Sequence, residues 1–467
     1  MQLGCPETGG TAAARPAARH RRWIVGMCLL ASVATAAPAT ASATAIDVAP
    51  VWSGHPVGFA LVTAGDRQAV GFYDAERRLT VAVRSCDDPN WVFVPLPRTT
   101  GWDSHNYVAM AVDRDGFVHV AADMHCSPLI YFRSRHRLDE PFHADSFEPL
   151  HRMTGDREDR VTYPAFLRDA AGDLVFMCRV GSSGDGDQVL NGYDTATRSW
   201  RRLVDGPIIT GRCGAETMNA YPAGPVRGPD GFFHVAWVWR DSPDCETCHD
   251  VCYARSRDLV HWERSDGTPL ALPISAAGCE VVDPVATGGG LLNGLLAIGF
   301  DADGRVVLSY HAYDAAGRSQ VYAARVEGGR WQIHRTTDWS ERLEFAGRGS
   351  IDLDAAVGPV TATPDHGLVQ YLRTPAGSGT WRLDPKTLAA TERIALPRQP
   401  DEHDRVESPF PGMAVRWADD SAAGAVPGPQ CRLRWETLGP TRDRSRPEPW
   451  PPPSMLRVIE SAPEPSR

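Results

Sequence analysis

The sequence predicts an all-β fold, a β-propeller of about seven four-stranded blades, on three observations. A turn-then-strand phrase recurs along the chain. No heptad or long amphipathic helical pattern follows residue 43. The 43 Gly and 38 Pro punctuate the chain rather than fill one block. The phrase is clearest at Asp113-Arg114-Asp115-Gly116-Phe117-Val118-His119-Val120. It returns at Pro229-Asp230-Gly231-Phe232-Phe233-His234-Val235 and at Asp301-Ala302-Asp303-Gly304-Arg305-Val306-Val307-Leu308. Asp169-Ala170-Ala171-Gly172-Asp173-Leu174-Val175-Phe176 is a looser copy. In each, Asp closes the turn through its side chain, Gly takes a positive-φ position, and an apolar strand follows. The glycines at 116, 172, 231 and 304 are 56, 59 and 73 residues apart, so the last step needs an insertion. A period near 59 over residues 46–460 gives about seven units. A non-repetitive pair of β-sandwiches is the alternative architecture.

Residues 1–43 read as an export signal. Arg15, Arg19, Arg21 and Arg22 form a positive segment, an apolar stretch runs from Trp23 to about Ala37, and Ala41-Ser42-Ala43 is a small-residue cleavage site. Residues 44–467 then form a single propeller domain, secreted or periplasmic. No other stretch is apolar and long enough to span a bilayer, so no membrane partner is expected after signal cleavage. Two later elements fit the propeller. Ser256-Arg257-Asp258-Leu259-Val260-His261-Trp262 resembles an Asp-box hairpin without its usual central Gly. In the tail, Cys431–Glu436 and Leu456–Glu460 are strand-like pieces around a Pro-rich link, read as the segment that closes the ring.

Composition narrows the function. With 48 Lys+Arg against 58 Asp+Glu the net charge is −10, which argues against a nucleic-acid partner. No P-loop, dinucleotide fingerprint or G-x-S-x-G elbow is present, and no organic cofactor is implied. The Arg-Ile-Pro motif of sialidases is also missing.

Residues able to carry chemistry fall near predicted strand ends. His105 follows Trp102-Asp103-Ser104 and precedes a strand, His125 ends the next one, and a hairpin could join them. Tyr163 and Tyr221 each stand before a Pro, in Val161-Thr162-Tyr163-Pro164 and Asn219-Ala220-Tyr221-Pro222. Arg179 precedes the flexible run Gly181–Gly186. If the blades repeat, these side chains converge at one end of the inner strands. A His, Tyr and Arg set suits β-elimination from a uronic acid. The C5 proton is only weakly acidic, so the carboxylate must be neutralised while one group removes the proton and another protonates the leaving oxygen.

Cys245-Glu246-Thr247-Cys248-His249-Asp250-Val251-Cys252 is the second cluster. Cys245, His249 and Cys252, with Cys279 from a neighbouring strand, suit a structural zinc. Disulfides in an exported protein are the alternative, and the C-x-x-C-H pattern lacks a haem-domain context. Nine of the eleven cysteines lie after residue 43. That odd number leaves at least one thiol free, metal-bound or paired between molecules.

These phrases resemble the BNR-repeat-containing proteins that include the ulvan lyases. The likeness runs through Ser104-His105-Asn106-Tyr107, the segment Asp113–His125, the Tyr163 and Tyr221 motifs, Cys248–Ala254 and Leu433–Leu438. It implies a secreted seven-bladed propeller and a polysaccharide lyase that cleaves rhamnose–uronate glycans, so the partner is an anionic polysaccharide. By motif, His105, His125, Tyr163, Arg179 and Tyr221 match the family's lyase residues. The resemblance implies Tyr163 as acid, with His105 as a candidate base. It implies His125 and Arg179 as carboxylate-neutralising groups, and Asn106, Arg179 and Tyr221 as substrate contacts. It also favours zinc near His249 and Cys252. Two other readings stand beside the lyase: a propeller that binds glycan or protein without chemistry, and a sialidase-like glycoside hydrolase.

Overall fold

A computed structural model describes residues 44–351, 353–394, 402–421 and 430–461. The expected export signal, residues 1–43, lies outside them. The fold is an all-β propeller: among the described residues the only helices are 3-10 turns of three residues. None is long and apolar enough to cross a membrane.

The recurring turns form as the sequence implies. Gly116, Gly172, Gly231 and Gly304 all have positive φ, between 76 and 91°. The Oδ1 of Asp113 accepts the backbone N–H groups of Asp115 and Phe117, and Asp169 and Asp301 repeat the arrangement. Two further copies stand at Asp74 and Asp314; the first escapes a search on Asp and Gly spacing, whereas the second keeps that spacing with Gly317 at φ 77°. In the first, Arg77 takes the left-handed position at φ 66°. The Asp-box hairpin does the same with Leu259 (φ 64°), which explains its missing glycine. Its Asp258 accepts from the N–H groups of Val260 and His261, and Trp262 is buried behind it.

Each turn feeds an antiparallel run of strands in sequence order. One sheet holds Ala60–Ala64, Arg67–Tyr73, Arg78–Ser85 and Val92–Thr99. The next holds Ala109–Val112, Phe117–Ala121, Tyr131–Arg137 and Phe147–Leu150. A third runs Val161–Arg168, Leu174–Ser182, Asp185–Asp194 and Ser199–Arg202, with His125–Ser127 added on its first strand. A fourth begins with Asn219–Arg227, Phe233–Arg240 and Cys248–Ser256. Residues 296–335 and 356–394 give two further four-stranded runs, joined into one eight-stranded sheet through the parallel pair Phe300–Thr361. Because of that join, strand pairing alone does not fix the number of blades. Thr44–Val51 pairs antiparallel with Ser454–Ser461, in one sheet with Gln430–Leu438 and Met413–Asp419. The first and last described strands therefore share a sheet.

The core lies between the sheets. Val70, Phe72, Val118, Val120 and Leu433, for example, belong to one buried apolar cluster. Two histidines of the repeated phrase serve this interior. His119 sits between the Tyr131 hydroxyl (2.7 Å) and Asp113 (3.2 Å), and His234 sits between Tyr253 (2.7 Å) and Asp230 (3.0 Å). Burial pushes both imidazoles below their ordinary range, so they act as neutral hydrogen-bonding pillars.

Candidate functional site

The fold brings all five expected catalytic side chains together. His105 lies in the 3-10 turn Ser104–Asn106, just ahead of the first strand of its sheet. Tyr163 and Tyr221 stand near the start of the first strands of the next two sheets. Tyr163 has a positive φ of 58°, a costly conformation for an aromatic residue, where the register with Leu174–Ser182 slips. His125 arrives on the short strand that pairs with Val161 and Thr162. The His105 and His125 rings stack with centroids 3.9 Å apart and planes 20° from parallel. The Tyr163 ring is 5.5 Å from His105 and 6.0 Å from Tyr221, the latter edge-on.

Two guanidinium groups back the tyrosines. Arg179 lies 4.9 Å from the Tyr163 ring centre, and Arg240 lies 5.2 Å from that of Tyr221. Arg179 is 1% exposed, donates to Thr162 Oγ1 (3.1 Å) and Cys126 Sγ (3.4 Å), and keeps its Nε buried without a partner. Arg240 is spent on the backbone carbonyls of Ser242, Pro243 and Asp244. Among the described residues neither arginine pairs with a carboxylate. Two buried positive charges without a carboxylate partner are expensive in isolation, a cost that a bound anion would offset.

The Tyr163 phenol is held neutral. Burial lifts the Tyr163 hydroxyl well above its usual range and Tyr221 adds to this, while Arg179 and Arg240 pull the other way. A phenol so placed is a proton donor at neutral pH. The Tyr221 hydroxyl bonds Ser183 Oγ at 2.7 Å. Gly184 makes that turn possible: it has φ 80°, and a Cβ there would meet the Ser242 backbone at 2.9 Å.

Asp103 joins the two histidines. Its Oδ1 is 2.7 Å from His105 Nδ1, and its Oδ2 is 2.6 Å from His125 Nδ1. Burial opposes its charge, but bonds to both rings hold the carboxyl well below the usual carboxylate range. Asp443, from the loop before the last described strand, accepts from the N–H and Oγ of Ser350 (2.8 and 2.7 Å) and lies 3.8 Å from His105 Nδ1. Asp103, Arg240, Asp443 and Ser183 were not assigned from sequence. Asp103 stood two residues before His105 as a visible signal, whereas Asp443 had none.

Asn106, expected to contact substrate, is buried; its side-chain amide donates to Thr100 Oγ1 at 3.2 Å, and its backbone carbonyl accepts from the Tyr73 hydroxyl at 2.6 Å. These bonds brace the His105 turn.

The expected zinc ligands do not gather as a set. Cys252 and Cys279 meet, with sulfurs 3.6 Å apart, and this contact brings the Cys279 thiol down to about 7 while burial pushes Cys252 up. Cys245 is carried away in the turn before the strand, where it packs with Leu292, Leu295 and Phe345. His249 is held between Asp241 (3.0 Å) and Asp250 (3.1 Å). A tetrahedral site needs all four donors around one point, so this set does not fit the ion. Among the described residues no two cysteines form a disulfide. Among the described residues, the group of three potential ligands whose donor atoms lie within 4.8 Å of one another is Asp103, His105 and His125.

Fold and site together define a β-propeller that collects two imidazoles, two phenols and two unpaired guanidinium groups at one place. Residues 67–339, more than half of the chain, match the BNR repeat-containing family, and the chain belongs to that family. Among curated proteins it is similar to the long isoforms of ulvan lyase from Alteromonas sp. (strain LOR) and Pseudoalteromonas sp. (strain PLSV). Each is 26% identical over 144 residues, which is 28% of this chain and 14% of the relative. The matched segment thus spans about one seventh of those relatives. Among solved structures, a polysaccharide lyase superposes with a TM-score of 0.59 at 14% identity, covering 90% of this chain and 99% of that one. An ulvan lyase bound to a saccharide of GlcA and sulfated rhamnose gives 0.56 at 14% identity, covering 90% and 96%. At that identity the likeness is one of fold.

Proposed function

We propose that the protein is an exported polysaccharide lyase that cleaves a uronic-acid glycan of the ulvan type by β-elimination. The observation that carries this reading is the buried, carboxylate-free pair Arg179 and Arg240 beside two phenols and two imidazoles. The resemblance to ulvan lyases supports the substrate class.

In this mechanism the uronate carboxylate enters against Arg179. Neutralising that carboxylate lowers the cost of the negative charge that develops when the C5 proton leaves. His105 takes the proton at Nε2, since its Nδ1 is occupied by Asp103. Electrons from the C5–H bond form the C4–C5 double bond, and the C4–O bond breaks. Tyr163, held neutral by burial, gives its proton to the departing oxygen. Tyr221, anchored by Ser183, orients the sugar ring. The products are a free hydroxyl on one fragment and an unsaturated uronyl end on the other. No step uses a metal or an organic cofactor.

Incubation with a panel of uronate polysaccharides, ulvan included, tests the proposal through the ultraviolet absorbance of the unsaturated product. Binding without any rise would favour a non-catalytic propeller, and a saturated product would indicate a hydrolase.

A further inference from the structure

We propose that Asp103 is the positioning residue of this site: its single carboxylate locks both imidazoles with Nδ1 as donor, so that each Nε2 faces the substrate. Its catalytic consequence rests on the lyase reading above, but the arrangement itself does not.

The argument is one of donors and acceptors. An ionised carboxylate can only accept hydrogen bonds. Asp103 spends one oxygen on each ring, at 2.7 and 2.6 Å, so both Nδ1 atoms must carry a proton. A neutral ring then has its lone pair at Nε2. The two rings, bonded to one carboxylate, stack with centroids 3.9 Å apart. Asp103 is itself held firmly. It caps the turn Ser104–Asn106 in an extended conformation, and its Oδ1 also accepts the His105 N–H at 2.9 Å. The turn is tied down from the tail, where Asp443 accepts from Ser104 N–H at 3.3 Å.

Asparagine at this position keeps the shape but has one acceptor oxygen and one donor NH2. Only one ring could then keep its proton on Nδ1. The other would have to present its Nδ1 lone pair and move its proton to Nε2, where it could no longer take one from a substrate. A wrong tautomer of a catalytic imidazole lowers kcat by up to about 10⁴-fold in a well-studied protease triad. A divalent cation shared by Asp103, His105 and His125 is the rival arrangement, and it would displace both Nδ1 protons.

The experiment is long-range nitrogen–proton NMR of the imidazole rings in the full chain labelled with ¹⁵N-histidine, assigned with His105→Gln and His125→Gln. It is run before and after addition of zinc and of a chelator, with turnover of a uronate polysaccharide followed in parallel. The expected result is a proton on Nδ1 of both rings, unchanged by zinc or chelator. In Asp103→Asn one ring should move its proton to Nε2, kcat should fall about 10²- to 10⁴-fold, and KM should stay within about threefold. An unprotonated Nδ1 on either ring of the unmodified protein would overturn the proposal without needing any variant to fold. So would Asp103→Asn spectra identical to the unmodified protein, or activity lost to a chelator and restored by zinc. Absence of lyase activity on every substrate, with the Nδ1 protons in place, would refute the catalytic half alone.

Discussion

Replacing Arg179 with methionine separates what this residue does for the fold from what it does for a substrate. Its guanidinium is 1% exposed, donates to Thr162 Oγ1 at 3.1 Å, and lies 4.9 Å from the Tyr163 ring centre. Losing the charged hydrogen bond costs about 1.5–3 kcal/mol and losing the desolvated ring contact about 2 kcal/mol. Against this, the unpaired charge carries a desolvation penalty of several kcal/mol, which methionine removes while filling much of the same space. The two sides nearly cancel, so the folded protein should keep its stability to within about 2 kcal/mol. A bound uronate reverses the balance, because truncating one partner of a buried charge pair costs about 2–5 kcal/mol. That corresponds to a loss in kcat/KM of about 30- to 5,000-fold. Urea unfolding followed by tryptophan fluorescence gives the first quantity, and formation of unsaturated product on a uronate polymer gives the second. A drop of more than about 3 kcal/mol in stability, with activity falling only as the folded fraction falls, would make Arg179 structural and refute the reasoning.

Other predictions follow from the same geometry. Tyr163→Phe removes only the hydroxyl, so it should fold normally and lose about 10²- to 10⁴-fold in kcat, read by the same absorbance assay. Asp103 and Asp443 both titrate below the ordinary carboxylate range, for burial is outweighed by bonds from the two histidines in one case and from His55 and Ser350 in the other. Each binds fewer protons folded than unfolded, so its contribution is complete above about pH 4 and is lost as pH falls below that. Asp443→Asn should lower stability at pH 7 and flatten the acid limb of a pH series of unfolding curves. Cys252 and Cys279, 3.6 Å apart, should close under a small disulfide donor, whose two sulfurs leave as thiols. Mass spectrometry should find those two cysteines linked, and the loop so closed should stabilise the protein by about 3–4 kcal/mol in denaturant unfolding.

Much of this was legible because propeller strands repeat. Asp and Gly at fixed offsets announced four turns, since both residues act within a few positions of themselves. The copies at Asp74 and Asp258 were harder to see, because Arg77 and Leu259 adopt positive φ where glycine was expected. The same step of 58 residues separates His105 from Tyr163 and Tyr163 from Tyr221, so consecutive sheets deliver chemistry at equivalent places. Extending that logic from Arg179 reaches Arg240 three positions late, which is why it passed unnoticed. His119 and His234 look like His105 in sequence, yet each belongs to the repeated phrase and is consumed by a Tyr and an Asp. Asp443 and Ser350 reach the His105 turn from distant parts of the chain, and no local pattern encodes such a contact. For Asn106, a position beside His105 does not reveal that the side-chain amide turns to Thr100. The cysteine cluster misled in another way. Spacing along a strand does not reveal that Cys245 leaves in a turn and that Cys252 faces the layer of Trp237 and Trp239.

The central claim is that this site removes a proton from a uronate and breaks the bond beside it. The most direct measurement is absorbance of the unsaturated uronyl end on incubating purified protein with ulvan and other uronate polysaccharides. A steady rise that vanishes in both Tyr163→Phe and His105→Ala, each still folded, is the predicted result. Contradiction would be a rise that survives both substitutions, or shortened chains with saturated ends only.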